Sequence, residues 1–183
     1  MKIDILGTES LGLRGLSCLV RTANRHILFD PGVSLGYKRH GLLPHPAQVA
    51  VGAGARSSII SALRGATDVV FSHFHGDHVP LVDANPYQMP ARDVVDVLRH
   101  VRLWTKDLDG ESDRIRGRIQ SLFELLDREL RNAAGQHSGP LSFSAPVPHG
   151  QNGSSQGNVM MTRVQEAGDV FVHASDIQLL NPG

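Results

Sequence analysis

Ser72-His73-Phe74-His75-Gly76-Asp77-His78 follows directly on the apolar run Asp68-Val69-Val70-Phe71. Three imidazoles and a carboxylate in so short a stretch make a poor core and a good metal-binding loop. In an extended segment alternate side chains point the same way, so His73 and His75 can approach one ion together. Gly76 then permits a sharp turn that lets Asp77 and His78 leave that line and address a second ion. The segment lacks the i, i+4 histidine pair of a helical site. Nitrogen and oxygen ligands of this kind suit zinc first, with iron or manganese as alternatives. The chain has 10 histidines in 183 residues, so a stray pair would mean little, but four fixed positions in one run exceed what composition supplies.

His-x-His-x-Asp-His after a buried strand resembles the signature of the metallo-β-lactamase-fold superfamily, and three further stretches agree with it. Phe29-Asp30-Pro31-Gly32 is similar to that family's strand-ending aspartate. Val147-Pro148-His149-Gly150 is similar to its isolated third histidine, and His173-Ala174-Ser175-Asp176 to the aspartate that bridges two metals. Gly7-Thr8-Glu9-Ser10-Leu11-Gly12, Asn85-Pro86-Tyr87 and Asp176-Ile177-Gln178-Leu179-Leu180 further resemble an uncharacterised archaeal branch of the superfamily. The resemblance implies an α/β (α+β) chain in a four-layer αββα sandwich and a metal-dependent hydrolase. It covers nearly the whole chain and is weakest between residues 90 and 140.

With the residues so matched, the resemblance implies that His73, His75 and His149 hold one zinc ion, while Asp77, His78 and a bridging Asp176 hold another. Asp30 would brace the metal loop from behind. Two such cations share a water and lower its pKa, and the resulting hydroxide attacks an ester, thioester, lactone or phosphodiester, with Asp77 orienting it or carrying its proton. The family's second metal also takes a histidine on the C-terminal side of the bridging aspartate. The sequence ends at Gly183 and no histidine follows Asp176. The expectation is therefore one domain over 1–183, truncated at its C-terminus, with an incomplete second half and a weak second metal site. Two other readings are a nucleic-acid phosphodiesterase similar to transfer-RNA 3′-processing nucleases, and a non-catalytic metal-binding remnant.

Composition narrows these choices. Lys+Arg and Asp+Glu both number 18, which gives no general pull toward nucleic acid or an anionic membrane and favours a small-molecule substrate. One cysteine, Cys18, excludes an internal disulfide and fits a reducing compartment. No run approaches a membrane span, and Met1-Lys2-Ile3-Asp4 lacks a signal peptide's apolar start. The reading is a soluble, cytoplasmic protein.

Strands are expected at 2–6, at 16–21 and 26–29 as a hairpin, at 68–72 leading into the metal loop, at 102–105 with Trp104 in the core, and at 141–145, 159–164 and 169–174. Residues 33–54 read as a long surface loop with His40 and His45 in solvent, and 146–158 as an irregular loop carrying His149. Helices are expected at 55–63, 90–100 and 112–134, the last capped by Ser112 and ended by Gly135. The glycine-rich stretch 7–15 lacks a P-loop's lysine and reads as a flexible loop beside the site. His137 reads as an exposed turn residue. His173 is set aside because a regular strand would turn it away from Asp176.

Overall fold

A computed structural model describes residues 1–36, 38, 40–151 and 154–175, with the backbone alone at 148–151 and 154–157. The first half contains β1 (Lys2–Gly7), β2 (Ser17–Arg21), β3 (His26–Phe29), α1 (Pro46–Arg64), β4 (Asp68–Val70), α2 (Val95–Leu98), β5 (Arg102–Trp104) and α3 (Asp113–Leu126). These strands form one sheet in the order β1-β2-β3-β4-β5. The β1–β2 and β2–β3 pairs are antiparallel, whereas β3–β4 and β4–β5 are parallel. Parallel neighbours need crossovers, and α1 and α2 lie in them.

The alternation of side chains along the strands builds two cores. Leu19, Leu28 and Val69 pack with Ile59 and Leu63 of α1 and with Ile119, Leu122 and Leu126 of α3. Cys18, Val20, Ile27, Phe29 and Val70 face the other way. There they meet Leu141, Phe143 and Val164 of a second sheet.

That sheet is built from β6 (His137–Ser138), β7 (Leu141–Phe143), β10 (Thr162–Glu166) and β11 (Asp169–His173), in the order β11-β10-β7-β6. Between β7 and β10 the chain forms a separate two-stranded ribbon, β8 (Val147–Gln151) and β9 (Ser154–Val159). Register fixes the inner face of β11. Val164 is buried and pairs with Phe171, and Thr162 is buried and pairs with His173, so Phe171 and His173 point inward. Val170 and Val172 stand on the outer face, 51% and 54% exposed. The protein is thus mixed α+β, with helices on one face of the first sheet and the second sheet on the other.

Several boundaries differ from the sequence reading. α1 begins at Pro46 rather than at residue 55, with His45 as its N-cap: the imidazole Nδ1 accepts from Ala47 N at 3.1 Å. Gly52 and Gly54 lower helix propensity, but the apolar face of Ala55, Ile59 and Leu63 outweighs them, and proline is welcome in a first turn. α3 starts after its Ser112 cap as expected, yet stops at Leu126. Asp127 takes left-handed backbone (φ 53°), and its N–H bonds Glu124 O and Phe123 O. Arg128 then donates to Leu98 O and Val101 O at 2.7 and 2.8 Å, which ties the departing chain to the α2 turn. The helix expected at 90–100 is a 3₁₀ turn, Ala91–Asp93, followed by the single turn of α2. Residues 146–158, expected to be irregular, hold most of the β8–β9 ribbon, and 159–164 is interrupted at Met160 and Met161. Among the described residues no helix is long and apolar enough to cross a membrane.

Candidate metal centre

β3, β4 and β5 run parallel, and their C-terminal ends lie side by side. Asp30 follows β3, Phe71-Ser72-His73 follow β4, and Thr105-Lys106 follow β5. Pairing continues past the formal strand ends: Asp30 N donates to Val70 O and Phe71 N to Trp104 O, each at 2.9 Å. The segment leading from β9 into β10 closes on the same edge, where Met160 N donates to Ser72 O at 2.8 Å. In open sheets with parallel strands this edge is where ligands gather.

Asp30 is the fixed point. It is fully buried and left-handed (φ 44°), a backbone state that costs a non-glycine residue about 1 kcal/mol. Its Oδ1 accepts from Ser72 N at 2.7 Å and its Oδ2 from the Ser72 hydroxyl at 2.6 Å. His78 Nδ1 lies 3.0 Å from Oδ2 and His173 Nε2 3.7 Å from it. Burial alone would raise the carboxyl's pKa. The hydrogen bond from His78 and the electrostatic influence of the His78, His173 and His73 rings outweigh burial and hold it below the ordinary aspartate value.

The loop after β4 closes as a helical turn, with His78 N and Val79 N both donating to His75 O. Gly76 is not left-handed, so it serves through space rather than through turn geometry: a Cβ there would lie 2.6 Å from Leu81 Cδ1 and 2.9 Å from Gln88 Nε2. Two further glycines approach the loop from outside. A Cβ on Gly32 would lie 2.4 Å from the His78 carbonyl carbon, and one on Gly15 would lie 2.3 Å from Asp77 O. Neither position can carry a side chain without moving the loop.

The spacing pairs His73 with His75 and Asp77 with His78. His73 and His75 meet edge to face at 4.8 Å between centroids, and His78 turns Nε2 to within 3.8 Å of Asp77 Oδ2. The sets are not separate, since the His73 and His78 rings lie 4.1 Å apart. Asp30, His73 and His78 are all buried and each offers a ligand atom, these atoms lying within 4.8 Å of one another; the group could hold a metal ion. Asp30 therefore stands close enough to be a ligand as well as the brace the resemblance implied. Asp77 and His75 are partly open to solvent. His149 lies on β8, where only the backbone is described, and Asp176 lies outside the described residues.

His173 was set aside and is in fact part of this cluster. It is buried, stacks on Phe29 at 4.8 Å and faces Asp30. Its inward direction follows from register, since it pairs with the buried Thr162; the expected parity relative to Asp176 concerns a residue outside the described ones. The buried pair of Lys106 and Glu111 was also unforeseen. Its ions are 2.7 Å apart, with Lys106 Nζ 4.8 Å from the Phe74 ring centroid, directly behind the histidine loop. His45 caps α1 and His40 is exposed. Trp104, expected in the core, is half-buried and donates Nε1 to Asp68.

The chain is 48% identical over 181 residues to a UPF0282 protein of Methanosarcina mazei, a match covering 99% of this chain and 59% of that one. It is 34% identical over 190 residues to a UPF0282 protein of Pyrococcus abyssi, covering 99% and 62%. A UPF0282 protein of Methanopyrus kandleri is 34% identical over 190 residues, covering 97% and 64%. The expected likeness to an archaeal family rests on these relatives, which share the UPF0282 name. The chain spans about six-tenths of the length of the curated relatives it matches. No family model matches it. No solved structure matches it either.

Proposed function

We propose that the chain carries the metal site of a metal-dependent hydrolase of the metallo-β-lactamase type, taking zinc and acting on a small-molecule ester, thioester, lactone or phosphodiester. The observation that carries this reading is His78, held on Asp30 through Nδ1 while Nε2 faces Asp77 beside the His73 ring. Imidazole nitrogens and carboxylate oxygens gathered at a buried strand edge fit a borderline divalent cation. When bound, such a cation supplies Lewis acidity to a carbonyl or phosphoryl oxygen and acidifies water.

The chain's own residues do the rest. Asp30 fixes the His78 tautomer and ring plane, and the Ser72 hydroxyl, 3.0 Å from His73 Nδ1, does the same for His73. Asp77, with its side chain 24% exposed, is the group able to orient an attacking water and hold its proton at Oδ2. Phe74, Val79 and Leu81 form a dry wall behind the loop. His149 and Asp176 are the proposed remaining ligands, with the second cation held more weakly than the first.

The test is hydrolysis of a panel of chromogenic esters and phosphodiesters with and without chelator, run beside elemental analysis of the wild type and His73→Ala. Turnover that falls with chelator, and metal that falls with His73→Ala, is the expected result. Undiminished turnover in chelator would overturn the metal mechanism. Metal without turnover on any substrate would leave a metal-binding protein that is no hydrolase, and turnover restricted to nucleic-acid phosphodiesters would favour the nuclease reading.

A further inference from the structure

Beside the histidine loop lies a cleft of about 690 Å³ that the metal chemistry does not use. This volume falls within the roughly 300–1,000 Å³ of small-molecule sites. Both of its walls continue segments that press on the loop. Gly12, Leu13 and Arg14 line it immediately before Gly15, the residue packed against the Asp77 backbone. Leu35 and Gly36 line it shortly after Gly32, which is packed against His78. Arg14 N donates to Ser34 O at 2.8 Å, so the two walls are stitched together. Leu13 and Leu35 are buried in the main core and give the cleft a fixed floor.

The rim has a chemistry of its own. Among the described residues that line it, Arg14 and Lys38 bring two positive charges against the single carboxylate of Glu9, in a chain whose formal net charge is zero. His40 adds an imidazole, and the N-terminal end of α1, carrying the positive end of its dipole, borders the cleft at His45 and Gln48. Leu42 and Leu43 line the same space at 73% and 59% exposure, the most solvent-exposed large apolar side chains described. Guanidinium and ammonium groups beside exposed leucines suit a ligand with an oxyanion head and an apolar body.

We infer that this cleft holds the anionic head and apolar body of the molecule on which the histidine site acts, so that the substrate is an organic phosphate or carboxylate. The inference rests on the metal-site reading for its second half and stands on the cleft alone for its first. Arg14 and Lys38 are specificity residues here, and the leucines are the apolar platform.

Phenylphosphonate is a suitable probe, because it has a phosphate-like head, an aromatic body and no bond for a hydrolase to cut. Its binding to the 183-residue chain is measured by calorimetry for the wild type, R14Q/K38Q, the charge-keeping R14K/K38R and His73→Ala. R14Q/K38Q is expected to weaken binding about tenfold or more, as the loss of two charge-assisted contacts implies. R14K/K38R keeps most of the affinity, which also guards against misfolding as the cause, and His73→Ala keeps it too. Affinity lost in His73→Ala but retained in R14Q/K38Q would put the anion on the metal and overturn the inference, as would a wild type that does not bind. A chain that holds no metal but still loses phenylphosphonate in R14Q/K38Q would keep the cleft and remove the metal-site reading. Benzoate as a second probe separates carboxylate from phosphate heads.

Discussion

The parallel strands hold a buried carboxylate at each end, and the two are partnered in opposite ways. At the N-terminal end Asp68 takes Arg102 Nε and Nη2 at 2.9 Å each, Trp104 Nε1 at 2.9 Å and the Thr67 hydroxyl at 2.6 Å. Arg25 adds a fifth donor at 3.4 Å. At the C-terminal end Asp30 takes a backbone N–H, a hydroxyl and an imidazole. The guanidinium and indole partners of Asp68 are donors only and have no lone pair to offer a metal ion. The partners of Asp30 each carry a second polar atom or sit beside one. Both carboxylates are closed off from solvent, so the type of partner separates one tied only to donors from one that sits in the candidate metal cluster.

The largest effect expected from this contrast is at the structural end. Asp68→Ala strands Arg25 and Trp104 Nε1 in the interior. Removing one partner of a buried pair costs about 3–5 kcal/mol, and the half-exposed Arg102 argues for the low end, about 3 kcal/mol. Urea unfolding measures it, and metal content should not change. Metal lost with stability kept would mean that the two carboxylates do not differ in this way.

Asp30→Asn is the reciprocal change. The amide still accepts from Ser72 N but presents a donor where His78 Nδ1 and the Ser72 hydroxyl need an acceptor. Loss of such a brace lowers metal affinity about 10- to 100-fold. A competitive zinc titration against a chromophoric chelator reads it. An unchanged affinity would reduce Asp30 to a turn residue, the other reading that Asp-Pro-Gly allows.

How far the sequence alone exposes this contrast depends on distance along the chain. His73 to His78 can be read locally as a cluster, because they share one short loop whose turn, closed on His75 O, carries the His78 ring back to His73; the strand alternation expected for His73 and His75 is absent, since β4 ends at Val70. Asp30 is visible only as a strand-ending aspartate. That it meets His78 follows from β3 and β4 pairing in parallel, which the sequence implies through the helix between them. His173 needs the register of β10 and β11. Lys106 and Glu111 lie on an irregular loop with no periodicity to mark their burial. Helix ends were misjudged where a short-range signal met a tertiary one, as Gly52 and Gly54 did in α1 and Asp127 did at the end of α3.

The contrast also has a smaller, pH-dependent signature. Burial by itself would raise the Asp68 carboxyl, but hydrogen bonds from Arg102, Thr67 and Trp104 and the charge of Arg102 hold it below its usual value. A carboxyl whose folded pKa lies below its unfolded value, near 3.9, stabilises fully above that value. The contribution is lost as pH falls through the folded pKa. The stability gap between wild type and Asp68→Asn is therefore expected to be constant from about pH 8 to 5 and to shrink below about pH 4. A gap that widened on acidification would mean that Asp68 is not held ionised by its partners.

The least expected change is at Cys18, and it tests the reach of the Asp30 charge. Cys18 lies on β2 between the sheets, and burial together with the negative charge of Asp30 pushes its thiol up to about 12. Thiolate is the reactive form, so a native chain should label negligibly with a thiol reagent at pH 7 to 9 and label fully once unfolded. Asp30→Asn removes the smaller of the two causes and leaves burial in place. It should therefore change native labelling by less than the Asp68→Ala variant does, since that variant opens the structure more often and exposes the thiol by unfolding. Labelling that rose more in Asp30→Asn than in Asp68→Ala would mean that the Asp30 charge, and not burial between the sheets, is what chiefly keeps the thiol unreactive.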